Sequence, residues 1–497
     1  MKYLICIALL LPIFFLPICH LHDWGDDFAL YINQAKSISE KKPPSQNYFV
    51  YNHNYPSYSP KAYPIGFPIL LALVDKISNN GIIAYQYFII LLCFLSGLLL
   101  FHIVIHLGHS ILSALILALA IVYHPFIFAF REQVLADIPL LFFCLLFYAV
   151  YEENHWHRYS KIIALSFIAS FAFSIKTIGL TLFLTYILCQ ILTVIQKKEN
   201  GIALVKDVSL FVGFFIAFQW AIRAYFGDDG NSFSHFIKLT FSNNLVQIVS
   251  ENLIVYKNEI LAFWGNLGIF NRDVFAKSFS YLFLFTCLYS TIKIRDSKWN
   301  FLRIYTAVFL FSIFIFPNYN QGFRYFIPLL PFLFILFLNG FNSLIEKINI
   351  PIQYGQISIL ILFGYLYIAP NIAYTKGIKV RSDETALKYS PYAHANAINM
   401  RELKNFISEQ DTLVTSYPRA FSLFLQRNCY TISPDTNSLN NLKEIASLHK
   451  FYILNYYPIC KKSISSLIEH LHQFPSQYTI ETLATTRDYD LYRCTSH

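Results

Sequence analysis

Apolar positions along this chain fall into long, nearly unbroken runs separated by short polar breaks. A helix crosses a bilayer with about 20 such residues, within a range of about 17–25. Runs at 2–20, 82–106, 110–129, 136–151, 161–175, 177–196, 207–226, 278–293, 301–317, 323–341 and 354–372 meet or approach that length. They predict about eleven membrane-spanning helices, with 136–151 and 161–175 the shortest. The first run follows Lys2, as a signal peptide would, yet no small-x-small pattern follows it and it ends in Pro17, Cys19 and His20. It reads as an uncleaved first helix.

The pattern changes at 373. Polar residues return, and strand-like alternation exchanges with helical spacing. "DTLVTSY", "CYTI" and "FYILNYY" read as strands, a helix begins at Pro418, and "NLKEIASLHK" and "SISSLIEHLHQF" read as helices. "YTIETLATTRDYDLYRC" reads as a strand pair or one bent strand. The expected architecture is a polytopic α-helical membrane portion over 1–372 and a small soluble α/β domain over 373–497.

Composition agrees with lipid as the solvent. Charged residues make up 13%, against about 25% in soluble domains. The net charge of +9 does not indicate a nucleic-acid partner, because the lysines and arginines are spread over short loops without a nucleic-acid motif. Their distribution instead orients the helices. With the N-terminus inside, the cytoplasmic loops 107–109, 152–160, 197–206, 294–300 and 342–353 and their edges carry Arg158, Lys161, Lys197, Lys198, Lys206, Lys293, Arg295, Lys298, Arg303 and Lys347. The short opposite loops hold only Arg131, Lys176 and Arg324. The positive-inside rule then places 21–81, 227–277 and 373–497 outside. Nine cysteines form no CxxC and no zinc spacing. Cys6, Cys93, Cys144, Cys189 and Cys287 lie in apolar runs, and Cys429, Cys460 and Cys494 fall in the tail, where one disulfide would leave one thiol over.

Ionisable groups near a bilayer are costly, so those at the outer ends of the spans are candidates for function. In "HDWGDDFALYINQA", Asp26 can cap a short helix, and Asp27, Tyr31 and Gln34 share one face of it. Capping explains one acid; the pair is less easily explained. "REQVLADIPLLFF" brings Arg131, Glu132 and Asp137, the last just before Pro139 in a common helix-start arrangement. Lys176 in "SIKTIGL" interrupts apolar sequence and either snorkels or binds a phosphate. Arg324 in "NYNQGFRYFIPLLPF" runs against the orientation bias and invites an acid or a lipid phosphate. Lys61 in "SYSPKAYPIGFPILLALV" is a further phosphate candidate. The tyrosines around it, Tyr48, Tyr51, Tyr55, Tyr58 and Tyr63, fit an interfacial belt better than sugar stacking. Transporters place such charges near the midplane on broken helices. Here they converge on one outer face, which suits transfer from a lipid phosphate donor.

The chain resembles the GT-C-type glycosyltransferases, in particular the group containing protein O-mannosyltransferases and the lipid A aminoarabinose transferase. The resemblance rests on "GDDFALYINQA", "AYPIGFPILLAL", "EQVLADIPLLFFCLLFY", "KTIGLTLFL" and "GFRYFIPLLPF", in that order, with an Arg-Tyr-x-x-Pro signature in the last. "TSYPRAFSLFLQR" is similar to a segment common after the spans in this group. The resemblance implies a polyprenyl-phosphate sugar donor and an aspartate that deprotonates the acceptor hydroxyl, with inversion. Asp27 is the first choice of base because Asp27 and Tyr31 reproduce the group's Asp-x-x-x-Tyr spacing, and Asp26 is second. Asp-Asp in place of the commoner Asp-Glu leaves that choice open. Asp137 would orient the acceptor or hold a cation. Lys61, Lys176 and Arg324 would take the phosphate, with Arg131 and Tyr325 beside them. Some GT-C enzymes use a divalent metal and others do not, and two acids alone do not decide it. The acceptor is a lipid, a glycan or a protein, and the expected location is the bacterial plasma membrane.

Two rival readings remain. A transporter or flippase of lipid-linked saccharides shares the fold class, but the chain lacks inverted repeats and midplane acids. A non-catalytic receptor or assembly subunit would use the tail to bind a partner.

Overall fold

The computed structural model describes residues 1–53, 55, 58–78, 81–196, 201–226, 237, 244–262, 273–293, 299–316, 322–382, 388, 390–432, 450–459, 462–473 and 476–496. Lys197, Lys198, Arg295, Lys298, Cys460, most of the expected helix 441–450 and much of the loop 227–277 lie outside these residues. The chain forms two compact units. One comprises Met1–Ile18, Tyr85–Tyr225 and Phe236–Gly377, and the other Cys19–Ala84, Phe226–His235 and Ile378–His497.

The first unit is helical. Six helices among the described residues are long and apolar enough to cross a membrane: Ile82–His106, Arg158–Ile175, Thr177–Ile195, Gly201–Phe226, Leu330–Lys347 and Ile352–Arg381. Shorter apolar helices lie at Lys2–Phe14, Ile111–Val122 and Asn300–Ile315. Prolines and special residues set several limits. Pro12 stands where the first helix tightens into a 3-10 turn, Leu11–Phe14. The run 110–129 breaks after Val122, and Pro125 opens a new short helix capped by the His124 ring. Helix Arg158–Ile175 stops at Lys176, whose backbone is extended, and the turn Thr177–Gly179 restarts the chain. A Cβ on Gly179 would stand 2.4 Å from the Ala172 backbone, so only glycine lets the two helices meet this closely. A helix at Leu245–Ala262, inside the segment read as an outer loop, packs through Asn252, whose Nδ2 donates to the carbonyl of Phe314 at 2.9 Å.

The second unit is built on a five-stranded sheet. Its strands are β1 (Thr412–Val414), β2 (Asn428–Tyr430), β3 (Lys450–Tyr456), β4 (Tyr478–Thr485) and β5 (Tyr489–Ser496), in the order β2-β1-β3-β5-β4. β1 pairs in parallel with β2 and β3, with Leu413 opposite both Cys429 and Tyr452. β5 runs antiparallel to β3 and β4. Helix Pro418–Leu425 makes the crossover from β1 to β2, which a parallel pair requires. Apolar residues of the amphipathic helix Lys462–His472, among them Ile464, Leu467 and Leu471, pack on Val414, Phe451 and Ile453.

The segment after the first helix belongs to this second unit. Phe49 forms a parallel bridge with Cys429, extending the sheet beyond β2. The Val50 N–H donates to the Cys429 carbonyl, and the Cys429 N–H to that of Tyr48, both at 2.9 Å. Cys429 and Cys494 are buried free thiols.

Candidate active site

The first constellation lies in the sheet-bearing unit and starts from helix Asp27–Ser39. The face shared by Asp27, Tyr31 and Gln34 gathers around one residue, Tyr63. The Tyr63 hydroxyl donates to Asp27 Oδ1 at 2.8 Å. The Tyr31 ring stacks on the Tyr63 ring, with centroids 4.8 Å apart. Gln34 clamps the Tyr63 backbone, donating from Nε2 to its carbonyl at 2.9 Å and accepting its N–H at 3.0 Å. Residues one and two turns apart thus fix one phenol against one carboxylate.

Arg419, the arginine of the tail's "YPRAF", enters the same group. Its Nε donates to Asp26 Oδ2 at 2.9 Å, and Nη2 stands 3.1 Å from Asp27 Oδ1. Its Nη1 donates to Ser59 Oγ at 3.1 Å and to the Tyr63 hydroxyl. Burial alone would lower the Arg419 pKa, yet Tyr63, Asp26 and Asp27 around it hold it well above the usual arginine range. It is therefore a permanent cation between two acids.

The two acids occupy different positions. Asp26 makes no side-chain cap to its own helix, Asp27–Ser39, and its backbone has φ 43°. Its Oδ1 instead accepts the N–H of Ala420 at 2.8 Å, near the start of helix Pro418–Leu425, and its Oδ2 accepts from Tyr58 as well as Arg419. A carboxylate at a helix N-terminus is favoured by the peptide dipoles. Burial, and next the negative charge of Asp26, push the Tyr58 phenol well above its ordinary range, so it stays a donor. The Asp26 side chain is 6% exposed and that of Asp27 18%. Asp26 is thus committed to holding helices together, while Asp27 retains access to solvent.

The second constellation lies in the helical unit. Asp137, fully buried at the start of helix Asp137–Glu152, accepts from Lys176 Nζ at 2.7 Å and from Arg324 Nε at 2.6 Å. The helix break places Lys176, and the 3-10 turn Gly322–Phe326 places Arg324 and Tyr325. Lys176 Nζ lies 4.5 Å from the centre of the Tyr325 ring, a cation–π contact. Two cations on one acid leave the trio with a charge of +1.

The remaining candidates sit elsewhere. Arg131 is wholly buried, and its guanidinium donates to the carbonyls of Phe128 at 2.7 Å and Pro17 at 2.6 Å. That position anchors a helix end and departs from the phosphate role expected of it, because a guanidinium with no exposed surface cannot meet an incoming anion. Lys61 lines a polar cavity in the sheet-bearing unit. Among the described residues, no three His, Cys, Asp or Glu side chains cluster as a metal site would require.

A family model described as dolichyl-phosphate-mannose-protein mannosyltransferase matches residues 59–252. Comparison with curated proteins gives no match. The chain is similar in structure to ArnT from Cupriavidus metallidurans bound to undecaprenyl phosphate, with TM-score 0.58 at 10% identity over 99% of this chain and 97% of that one. The Archaeoglobus fulgidus oligosaccharyltransferase tethered with an acceptor peptide matches at TM-score 0.57 and 10% identity, over 98% and 74% of the two chains. The arabinofuranosyltransferase AftD from Mycobacteria matches at TM-score 0.51 and 10% identity, over 99% of this chain and 40% of its own. The chain has the fold of the GT-C-type membrane glycosyltransferases.

That outcome bears out the resemblance read from the sequence. In this chain of GT-C-type fold the residues that sequence reasoning passes over are Arg419, Tyr58 and Tyr63. Arg419 stood in a segment recognised as typical of the group, without a partner in sequence to suggest its role. Tyr58 and Tyr63 were grouped with an aromatic belt, although Tyr63 follows Lys61 within a proline-fixed turn.

Proposed function

We propose that this GT-C-type chain moves a sugar from a polyprenyl-phosphate donor to an acceptor hydroxyl, with inversion, at the outer face of a bacterial plasma membrane. The proposed topology has about eleven spans, a cytoplasmic N-terminus and an extracytoplasmic α/β tail. The observation that carries the reading is the division of labour between neighbouring acids. Asp26 is enclosed by Tyr58, Arg419 and the Ala420 N–H, and Asp27 is the more exposed of the two.

In this reading Asp27 is the general base. It takes the proton of the acceptor hydroxyl as that oxygen forms its bond to the anomeric carbon. The bond from that carbon to the donor phosphate breaks on the opposite side, and its electron pair leaves on the phosphate. Phosphate is a stable leaving group, so no strong acid is required to protonate it. Arg419 and Tyr63 hold the Asp27 carboxylate aligned. Lys176 and Arg324 are the cations assigned to the phosphate, with Asp137 fixing both in place. ArnT bound to undecaprenyl phosphate supports a donor of this class.

The test uses the purified chain in lipid with a panel of polyprenyl-phosphate sugars and a membrane extract as acceptor source. Sugar transfer is expected, and Asp27→Asn abolishes it while the circular dichroism and thermal unfolding stay those of the parent. Unchanged transfer in Asp27→Asn removes that residue from the role. Movement of lipid-linked sugar across the bilayer without transfer replaces the enzyme by a flippase.

A further inference from the structure

We propose that the polar cavity beside helix Asp27–Ser39 binds an anionic saccharide, a sugar bearing phosphate or carboxylate, as the acceptor. This rests on the transferase reading above and names its acceptor class. The cavity encloses about 640 Å³, within the span typical of small-molecule sites. It lies in the sheet-bearing unit, between helix Asp27–Ser39, the segment 42–53 with Lys61, and the start of β2.

Charge sets the sign of the ligand. Lys36, Lys42 and Lys61 line the cavity against one acid, Glu40, which pairs with Lys42 at 2.7 Å. The excess of positive charge favours an anion, and the lysine ammoniums suit a compact oxyanion group.

The rest of the wall suits a sugar. The amides of Gln426 and Asn428 offer donors and acceptors side by side. The wall is held in shape by its own bonds. Asn33 Nδ2 donates to Ser422 Oγ at 3.0 Å, Asn47 Nδ2 to the Lys61 carbonyl at 3.1 Å, and Ser37 Oγ to the Gln46 carbonyl at 2.7 Å. A wall already ordered loses little freedom when a ligand arrives. Tyr51 and His53 form an edge-to-face corner, with centroids 4.9 Å apart.

Tyr48 is the most telling part of the wall. Its φ of 58° lies in the left-handed region, and its side chain is left 42% exposed beside the cavity. Such a conformation is strained for a tyrosine. It is kept by the Cys429 N–H, which donates to the Tyr48 carbonyl at 2.9 Å. An exposed aromatic ring maintained despite that strain, beside lysines and amides, is suited to stacking on a sugar face.

The cavity is tied to the proposed base through the chain. Asn33 stands six residues from Asp27 on one helix, about 9 Å along its axis. Lys61 stands two residues before Tyr63, whose hydroxyl donates to Asp27. A saccharide held by its charged group at Lys36 and Lys42 is therefore anchored within the same unit as the base.

The experiment measures binding by the full-length chain in nanodiscs, using trehalose 6-phosphate, trehalose and inorganic phosphate as probes. The phosphorylated disaccharide is expected to bind at least ten-fold more tightly than either of the others. Lys36→Gln with Lys42→Gln weakens it by a further ten-fold. Tyr48→Gly weakens it while raising the unfolding temperature, since glycine accepts the backbone conformation. Equal affinity for inorganic phosphate and trehalose 6-phosphate overturns the saccharide assignment, as does no measurable binding by the parent chain. Unchanged binding in both variants overturns the location. Asp27→Asn, measured alongside, is expected to bind the probe as the parent does. Probe binding by a parent chain that shows no sugar transfer supports the site and removes only the enzyme reading.

Discussion

The Oδ1 of Asp26 accepts the backbone N–H of Ala420 at 2.8 Å, across 394 residues of chain. Arg419, the neighbour of Ala420, binds the other oxygen of the same carboxylate. A single acid at the end of the first apolar run thereby joins the start of a tail helix. Removing it strands a buried guanidinium and a buried backbone N–H together.

Asp26→Ala is expected to destabilise the sheet-bearing unit by about 3–5 kcal/mol, the usual cost of breaking a buried ion pair from one side. Limited proteolysis of the tail, followed with temperature, reads this directly. Asp27→Ala is expected to cost much less, because its side chain is more exposed. Equal losses in the two variants would show that the acids share one structural role.

Arg419 binds the two acids through separate nitrogens, Nε and Nη2, and Ser59 and Tyr63 through the third, Nη1. Lysine offers a point charge on a flexible stem and cannot reproduce that fork. Arg419→Lys is therefore expected to keep the charge and lose activity, with transfer falling about 10²-fold or more, as when a general base is misaligned. A transfer assay with matched thermal unfolding separates this from simple loss of fold. Parent-like transfer in a folded Arg419→Lys protein would show that charge alone suffices.

Parts of this arrangement were legible in the sequence and parts were not. The face of Asp27, Tyr31 and Gln34 follows from helical spacing, and all three do meet Tyr63. Arg324 ran against the orientation bias and called for an acid, and Asp137 supplies it. Both inferences use local geometry or the cost of charge near lipid. Asp26 read as the cap of its own helix because capping is a local rule; the bond it makes depends on a fold that brings residue 420 beside residue 26. The helix Leu245–Ala262 escaped for a different reason. Its polar stretch "SEN" and "YKNE" interrupts the apolar run on which span detection depends.

Gly179 makes a prediction about the path of Lys176. A side chain there would meet the Ala172 backbone at 2.4 Å, and backbone cannot rotate away as a side-chain end would. Gly179→Val is expected to cost about 1–3 kcal/mol by overpacking and to shift the turn that carries Lys176. An increase in KM for the lipid donor, larger than any fall in kcat, would mark displacement of a donor-binding cation. A parent-like KM with full stability would show that the turn absorbs the added bulk.

The trio of Asp137, Lys176 and Arg324 predicts a non-additive pair of mutations. Asp137→Asn leaves two cations close together without their shared counter-ion, and is expected to destabilise the helical unit by about 3–5 kcal/mol. Lys176→Gln leaves the Asp137–Arg324 pair intact and is expected to cost less. In the double variant Arg324 loses its acid but no longer faces Lys176. The combined loss should fall below the sum of the two by about 0.5–3 kcal/mol, the range for residues in one network. Chemical denaturation of the four proteins in the same detergent closes the cycle. Additive losses would mean that Lys176 and Asp137 are neighbours without an energetic bond, and would remove the reason for regarding the trio as one phosphate-binding unit.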